Sequence, residues 1–301
     1  MSKIEVELQH QLTGHKSGIF ALKQIDDNRF ISGDGGGNAV LWNIEEPELA
    51  TLVASVPSNI FSIEYFNKEQ VVVVGTMSGD IHFLNKQNKK QVSLGQHHTK
   101  GVFALIIIDG LLVAASGDGR LSIWDCNTFK LIDSFQISKE SLRCLQFNEV
   151  ANKLYIGSSD HSIHYFDWKK KELIGSLVAH SNSVFTYEAI SENISISGGR
   201  DAHLKIWNKD ILIHSIPAHM YTVNHIKSIL KDEYFATASR DKSIKFWKAE
   251  NYDLVKVIEN TKTRSHKASV NKLLWLPKSE HLISASDDRS LIVWKVSTSE
   301  A

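Results

Sequence analysis

Several features that would place a chain in a specialised class are scarce in this one. It has two cysteines, Cys126 and Cys144. They form no framework spacing and fit a reducing compartment, so a disulfide scaffold is excluded. Charge of either sign is not in excess: 34 Lys and Arg face 34 Asp and Glu across 301 residues. That balance gives no case for a nucleic-acid or anionic-membrane partner. Long apolar runs are missing; even KLLWLP around Trp275 stops within a few residues, far short of a bilayer crossing. The opening MSKIEVELQHQL mixes charged and apolar residues and has no apolar core of a signal peptide. Helical periodicity is absent. These absences predict a soluble, cytoplasmic chain built from strands, folded as a single domain over residues 1–301.

What is present is repetition. Segments such as SGDGRLSIWD, ending at Asp125, and SASDDRSLIVWK, ending at Lys295, recur with a period near 41. Each unit closes on an aromatic or apolar residue: Trp42, Leu84, Trp124, Phe166, Trp207, Trp247 and Trp294. Within a unit, four short apolar stretches alternate with turn residues, the pattern of strands. In the fifth unit these are 184–190, 193–197, 203–207 and 211–216, with the turn Gly198-Gly199-Arg200-Asp201 between the second and third. No unit can bury its faces alone, so the period predicts a radial array of four-stranded sheets. After Trp294 only KVSTSEA remains, too little for a fourth strand. Residues 3–8, with Ile4, Val6 and Leu8 alternating, are expected to supply it and close the ring.

The dipeptide Gly14-His15, its relatives Ala179-His180, Ala218-His219 and Ser265-His266, and the closing Trp-Asp or Trp-Asn/Lys pairs resemble those of the WD-repeat family. The resemblance runs over about residues 3–296 and implies an all-β, seven-bladed β-propeller. The second unit (PSNIF, GDIHFLN) lacks the histidine, aspartate and tryptophan, and the fourth has Ser138 and Phe166 at two of the family positions. These two belong by spacing and strand pattern.

Three units hold histidine, a hydroxyl, aspartate and tryptophan at fixed offsets. The sets are His180, Ser197, Asp201 and Trp207; His219, Thr237, Asp241 and Trp247; and His266, Ser284, Asp288 and Trp294. They contain the residue types of a hydrolase triad, but an enzyme site does not recur at each sheet. The resemblance implies a buried hydrogen-bond network inside the blade instead. Partial sets stand in unit 1 (His15, Ser32 and Trp42, without the aligned Asp) and unit 3 (His98, Asp118 and Trp124, with Ala114 at the hydroxyl position). No catalytic residue is assigned. The other histidines give no metal case: His97 and His98 are adjacent and point to opposite faces. His161 and His164 have no Cys or carboxylate companion at ligand spacing. The glycine-rich segment 32–38 lies between two strands and reads as a hairpin turn, without the helix that a phosphate cradle needs. No cofactor is expected.

Function is sought where the repeats differ. The residue five positions beyond each Gly-His histidine begins the innermost strand at one rim. The series reads Phe20, Phe61, Phe103, Arg143, Phe185, Asn224 and Asn271, with the second and fourth placed by alignment. The resemblance implies that these positions, and the residue before the turn aspartate, contact partners. The latter positions hold Arg200, Arg240 and Asp287. Aromatic side chains at a concave mouth are expected anchors of a binding surface. The long connection 259–266 adds Lys262 and Arg264 to the same rim. The expectation is a non-enzymatic scaffold within a larger complex, binding a protein or peptide segment with an apolar anchor and acidic neighbours on the narrow rim. The alternatives are a propeller enzyme with its site at the channel mouth, and a structural subunit packing by its blade edges.

Overall fold

The computed structural model describes residues 3–67, 69–260 and 264–299. Its described residues form seven sheets of four antiparallel strands, with no helix among them. Numbered in chain order, blades 1 to 7 have inner strands Ile19–Gln24, Ile60–Phe66, Val102–Ile108, Leu142–Asn148, Val184–Ala189, Val223–Ile229 and Val270–Leu276. Each inner strand packs on the next, and the seventh packs on the first, so the ring closes.

Position within a blade dictates composition. The second strand of blade 2, Val71–Thr76, is buried at every residue. It has a strand on either side and a neighbouring blade over each face, so only a run such as VVVV suits it. The outermost strand of blade 5, Ile211–Pro217, lies at the free edge and is largely exposed. The apolar faces meet between blades in seven separate cores. Burial of one Val, Leu, Ile or Phe side chain contributes about 1.5–3 kcal/mol. By that measure the contact between blades 4 and 5 is the weakest. Its buried members are only Ile163, Ala179, Val184, Tyr187 and Trp207.

Blade 7 is completed by the N-terminal strand Lys3–Leu12, paired antiparallel with Leu291–Ser299. The strand runs four residues beyond the expected 3–8, for a reason of facing. Ile4 is buried in the core between blades 6 and 7, with Val6 and Leu8 packed against it. The register then slips between Leu8 and His10. A bulge reverses which side chains face which way, and Leu12 is buried in the opposite core, between blades 7 and 1. One strand thus serves both faces of its blade. The residues after Trp294 lengthen the third strand to Ser299.

The turn between second and third strands places one residue in left-handed conformation in every blade. These are Gly37, Gly79 and Gly119 in blades 1–3, and His161, Ala202, Lys242 and Arg289 in blades 4–7. At Gly37 a Cβ would fall 2.0 Å from the carbonyl oxygen of Val56, so glycine is sterically required there. The glycine-rich segment 32–38 is accordingly a hairpin turn between Arg29–Asp34 and Asn38–Asn43.

Candidate functional site

The repeated His, Ser/Thr, Asp and Trp sets form the networks expected of them. In blade 5 the Trp207 Nε1–H donates to Ser197 Oγ over 2.8 Å. Ser197 Oγ lies 2.8 Å from His180 Nε2, and His180 Nδ1 lies 2.9 Å from Asp201 Oδ1. The indole can only donate and the carboxylate can only accept. The serine hydroxyl therefore donates to Nε2, and Nδ1–H donates to the aspartate. Blade 6 repeats the chain through Trp247, Thr237, His219 and Asp241, and blade 7 through Trp294, Ser284, His266 and Asp288. Partial burial works to raise the aspartate pKa values. The histidine hydrogen bond, the histidine charge and further hydrogen bonds from backbone or hydroxyl groups together outweigh it and hold Asp201, Asp241 and Asp288 well below the usual carboxylate range. The hydroxyls of Ser197, Thr237 and Ser284 belong to residues with no exposed surface. A nucleophile that no substrate can touch is a structural group.

Two partial sets are in fact complete. Blade 1 recruits Asp34 from the end of its second strand, 2.7 Å from His15 Nδ1, while Ser32 bonds His15 Nε2 and Trp42 Nε1. In blade 3, Ala114 stands directly opposite Ser122 across the sheet. Ser122 supplies the hydroxyl, 2.7 Å from His98 Nε2 and 2.8 Å from Trp124 Nε1. Blade 4 corrects the reading that His164 lacks a carboxylate companion. Its Nε2 lies 2.8 Å from Asp160 Oδ2, to which Ser138 also donates. Blade 2 has a hydroxyl relay, Thr76 to Ser78 to Asp80, and a separate bond from His82 Nδ1 to Gln91 Oε1 over 2.7 Å. Among the described residues, no three His, Cys, Asp or Glu gather as a metal site would require.

The rim series comes together at one mouth of the central channel, around a cavity of about 460 Å³. The Phe20 and Phe61 ring centroids are 5.3 Å apart, as are those of Phe61 and Phe103. The Arg143 guanidinium continues the arc, 4.5 Å from the Phe103 ring centre and 5.4 Å from that of Phe185. Its Nε–H donates to Ser159 Oγ over 2.8 Å. Half-burial of these side chains follows from local sequence. In blades 1 and 3 the residue before the turn is Gly35 or Gly117, where a Cβ would press on Phe20 or Phe103 at 3.2 or 3.0 Å. Removing that Cβ gives each ring room at the mouth.

Asn224 and Asn271 line the same cavity but act as staples between blades. Asn224 Nδ2 donates to Val270 O (2.8 Å) and Ser269 Oγ (3.0 Å) of blade 7. Asn271 Nδ2 donates across the ring closure to Ile19 O (3.0 Å) and to Asp287 Oδ1 (2.7 Å). Arg200, Arg240 and Asp287 are exposed and do not line the cavity. Arg264 is turned away from the mouth, donating to Gln11 Oε1 in the N-terminal strand; Lys262 lies outside the described residues. Two cavity-lining residues escape the rim alignment, Met77 and Lys272. Met77, 53% exposed, holds the same pre-turn position as Arg200 and was accessible to the same alignment. Lys272 follows Asn271, in a series that otherwise reads Ala21, Ser62, Ala104, Cys144, Thr186 and His225. A lysine among mostly small residues is the signal that marks it.

Deeper in the channel, neighbouring blades pair their charges. Lys23 Nζ meets Glu64 at 2.5 Å, and Lys227 meets Glu188. Burial pushes the Glu64 carboxyl up, against the lowering pull of Lys23.

Four segments match the family described as "WD domain, G-beta repeat": residues 6–43, 88–125, 211–248 and 258–295, together half of the chain. A WD repeat-containing protein 91 homolog of Dictyostelium discoideum is 27% identical over 224 residues, 70% of this chain and 28% of that protein. A DDB1- and CUL4-associated factor 11 homolog of Caenorhabditis elegans is 26% identical over 129 residues, 40% of this chain and 23% of that protein. The chain thus spans about a quarter of the length of these two relatives. Among solved structures, the WD40 β-propeller domain of Doa1 superposes with a TM-score of 0.84 at 19% identity, covering 96% of both chains.

Proposed function

The chain belongs to the WD40-repeat family, and from that premise we propose that it is a non-catalytic interaction module binding a protein or peptide segment at the phenylalanine-lined mouth of its channel. One observation carries this reading. Three successive blades place half-buried phenylalanine rings in tilted contact around an open cavity. Apolar rings held partly in water in a concave place gain most from a partner that covers them. Rigid strands present them, so little conformational freedom is lost on binding. The name of the Caenorhabditis elegans relative states association with other proteins, and we extend membership of a larger assembly to this chain.

We place that assembly in the cytoplasm. Cys126 and Cys144 are both free thiols. Burial pushes them up to about 12 and about 11, which makes them inert. The test is recovery of the tagged chain with its native partners, repeated with Phe20→Ala and Phe103→Ala together. The double variant is expected to remain folded by circular dichroism and to lose the partner. Retention of the partner would refute the site.

A second reading has one observation in its favour. Outer strands of blades 4 and 5 expose Val178 at 75% and Ile211 at 71%. If the chain docks by its blade edges, Ile211→Lys removes the partner and the rim double variant does not.

A further inference from the structure

The two cations at the cavity, Arg143 and Lys272, have no ion pair with a carboxylate among the described residues, although the lysines below them do. Lys23 is matched by Glu64 and Lys227 by Glu188. Glu188, the carboxylate whose field reaches Lys272, is already bonded by Lys227 and by the Ser228 N–H. Arg143 uses Nε on a serine and holds its guanidinium over two aromatic rings. The charged group that acts on it most closely is another cation, Arg200. Asp287, the acidic residue of the rim series, accepts from Asn271. The mouth therefore combines an apolar arc above with uncompensated positive charge at its side and in its throat.

This composition decides between two kinds of occupant. Phenylalanine faces attract cations, so an aromatic arc alone could hold a lysine or a methylated amine. Here the faces of Phe103 and Phe185 already carry Arg143, and Lys272 lines the same cavity. A cationic side chain would enter against two like charges, both partly withdrawn from water. An anion would find two charged donors whose desolvation is already met by folding. The cavity, at about 460 Å³, lies within the roughly 300–1,000 Å³ of ordinary ligand sites. It can take two side chains that stand two residues apart on one face of an extended segment.

We propose that the occupant is an extended partner segment in which an aspartate or glutamate stands two residues from a bulky apolar residue, on the same face: the apolar side chain lies on Phe20, Phe61 and Phe103, and the carboxylate enters the throat between Arg143 and Lys272. The acidic contact is thus inside the mouth, and not on the exposed Arg200 and Arg240. This assignment rests on the rim reading above and sharpens its chemistry.

The test is selection of a displayed library of random dodecapeptides on the intact chain. The strongest binder is then synthesised with a C-terminal amide, so that no terminal carboxylate contributes. Selected sequences are expected to share an acidic residue two positions from Leu, Ile, Met, Phe or Trp. Replacing that acid by its amide should raise Kd about tenfold, the loss of one charge-assisted hydrogen bond, and replacing it by lysine should raise Kd further. On Lys272→Gln, and separately on Arg143→Gln, the acid and its amide should bind with closer Kd values than on the parent chain. Acid and amide binding equally to the parent chain, or a selection dominated by basic sequences, would overturn the carboxylate assignment alone. Peptides that bind the Phe20→Ala/Phe103→Ala chain as tightly as the parent would overturn the rim reading as well. So would a selection that yields no saturable binder.

Discussion

Blades 1–3 and blades 6–7 build the same rim position to opposite ends. In the first group the position holds phenylalanine, which bonds nothing and stays half-buried in the open cavity. In the second it holds asparagine, whose amide ties one blade to the next. The difference runs on into the turns. Blades 1–3 have glycine at the left-handed position, while blades 6 and 7 force lysine and arginine into it. On the function proposed above, one side of the ring would receive a surface, while the other holds the circle closed. A repeat scaffold can divide labour in this way because each blade contacts mainly its two neighbours.

Substitutions that exchange the two characters measure how real the division is. The largest effect is expected from Gly37→Ala, whose Cβ must displace the Val56 carbonyl. A loss of about 3 kcal/mol is expected as a fall in the urea unfolding midpoint. An unchanged midpoint would show that the turns of blades 1–3 need no glycine.

Next is Asp288→Ala, expected to cost about 1–3 kcal/mol by stranding His266 and the Lys267 N–H. Because the Asp288 pKa is lower folded than unfolded, its contribution is full above the usual carboxylate range. It is lost as pH falls through the folded value. The gap between parent and variant, wide at neutral pH, should begin to narrow below about pH 4 and close only well below that. A gap that persists in acid would mean the aspartate acts by packing alone.

Asn271→Leu should cost about 1 kcal/mol for the hydrogen bond across the ring closure. Differential scanning calorimetry should show a lower melting temperature, and no change would deny asparagine its role as a staple. The smallest effect, and the only gain, is expected from Lys242→Gly. It relieves a left-handed lysine and should add about 0.5 kcal/mol after the entropy cost of glycine. A loss would show that the Lys242 side chain contributes something its backbone strain conceals.

Much of this was legible because the repeat turns sequence distance into position. The blade count, the closing strand and the networks of blades 5–7 follow from offsets that recur unchanged. The misses have different causes. Asp34 and Ser122 do the same chemistry from different offsets, since what a histidine ring senses is the nearest oxygen in space and not its place in the chain. Ala114 and Ser122 are eight residues apart and directly opposed across the sheet. The extra length of the N-terminal strand depended on a bulge at Gln9, which no alternation pattern signals in advance. Asn224 and Asn271 share a column with the phenylalanines, yet their partners are backbone carbonyls of other blades, and carbonyls leave no mark in a sequence. Lys272 was visible in its column, but only to a comparison made one residue inward from the rim.

The strand Lys3–Leu12 finds its partner almost three hundred residues later. During synthesis at roughly 5–20 residues per second, it must wait about fifteen seconds to a minute for that partner to emerge. Meanwhile it is an orphan edge, open to pairing with any other nascent strand. Glu5 and Glu7 lie between its apolar residues, and in the finished blade they face Ser297 and Lys295. Charges set along such an edge disfavour pairing with a foreign strand, which leaves it for the partner that emerges almost three hundred residues later.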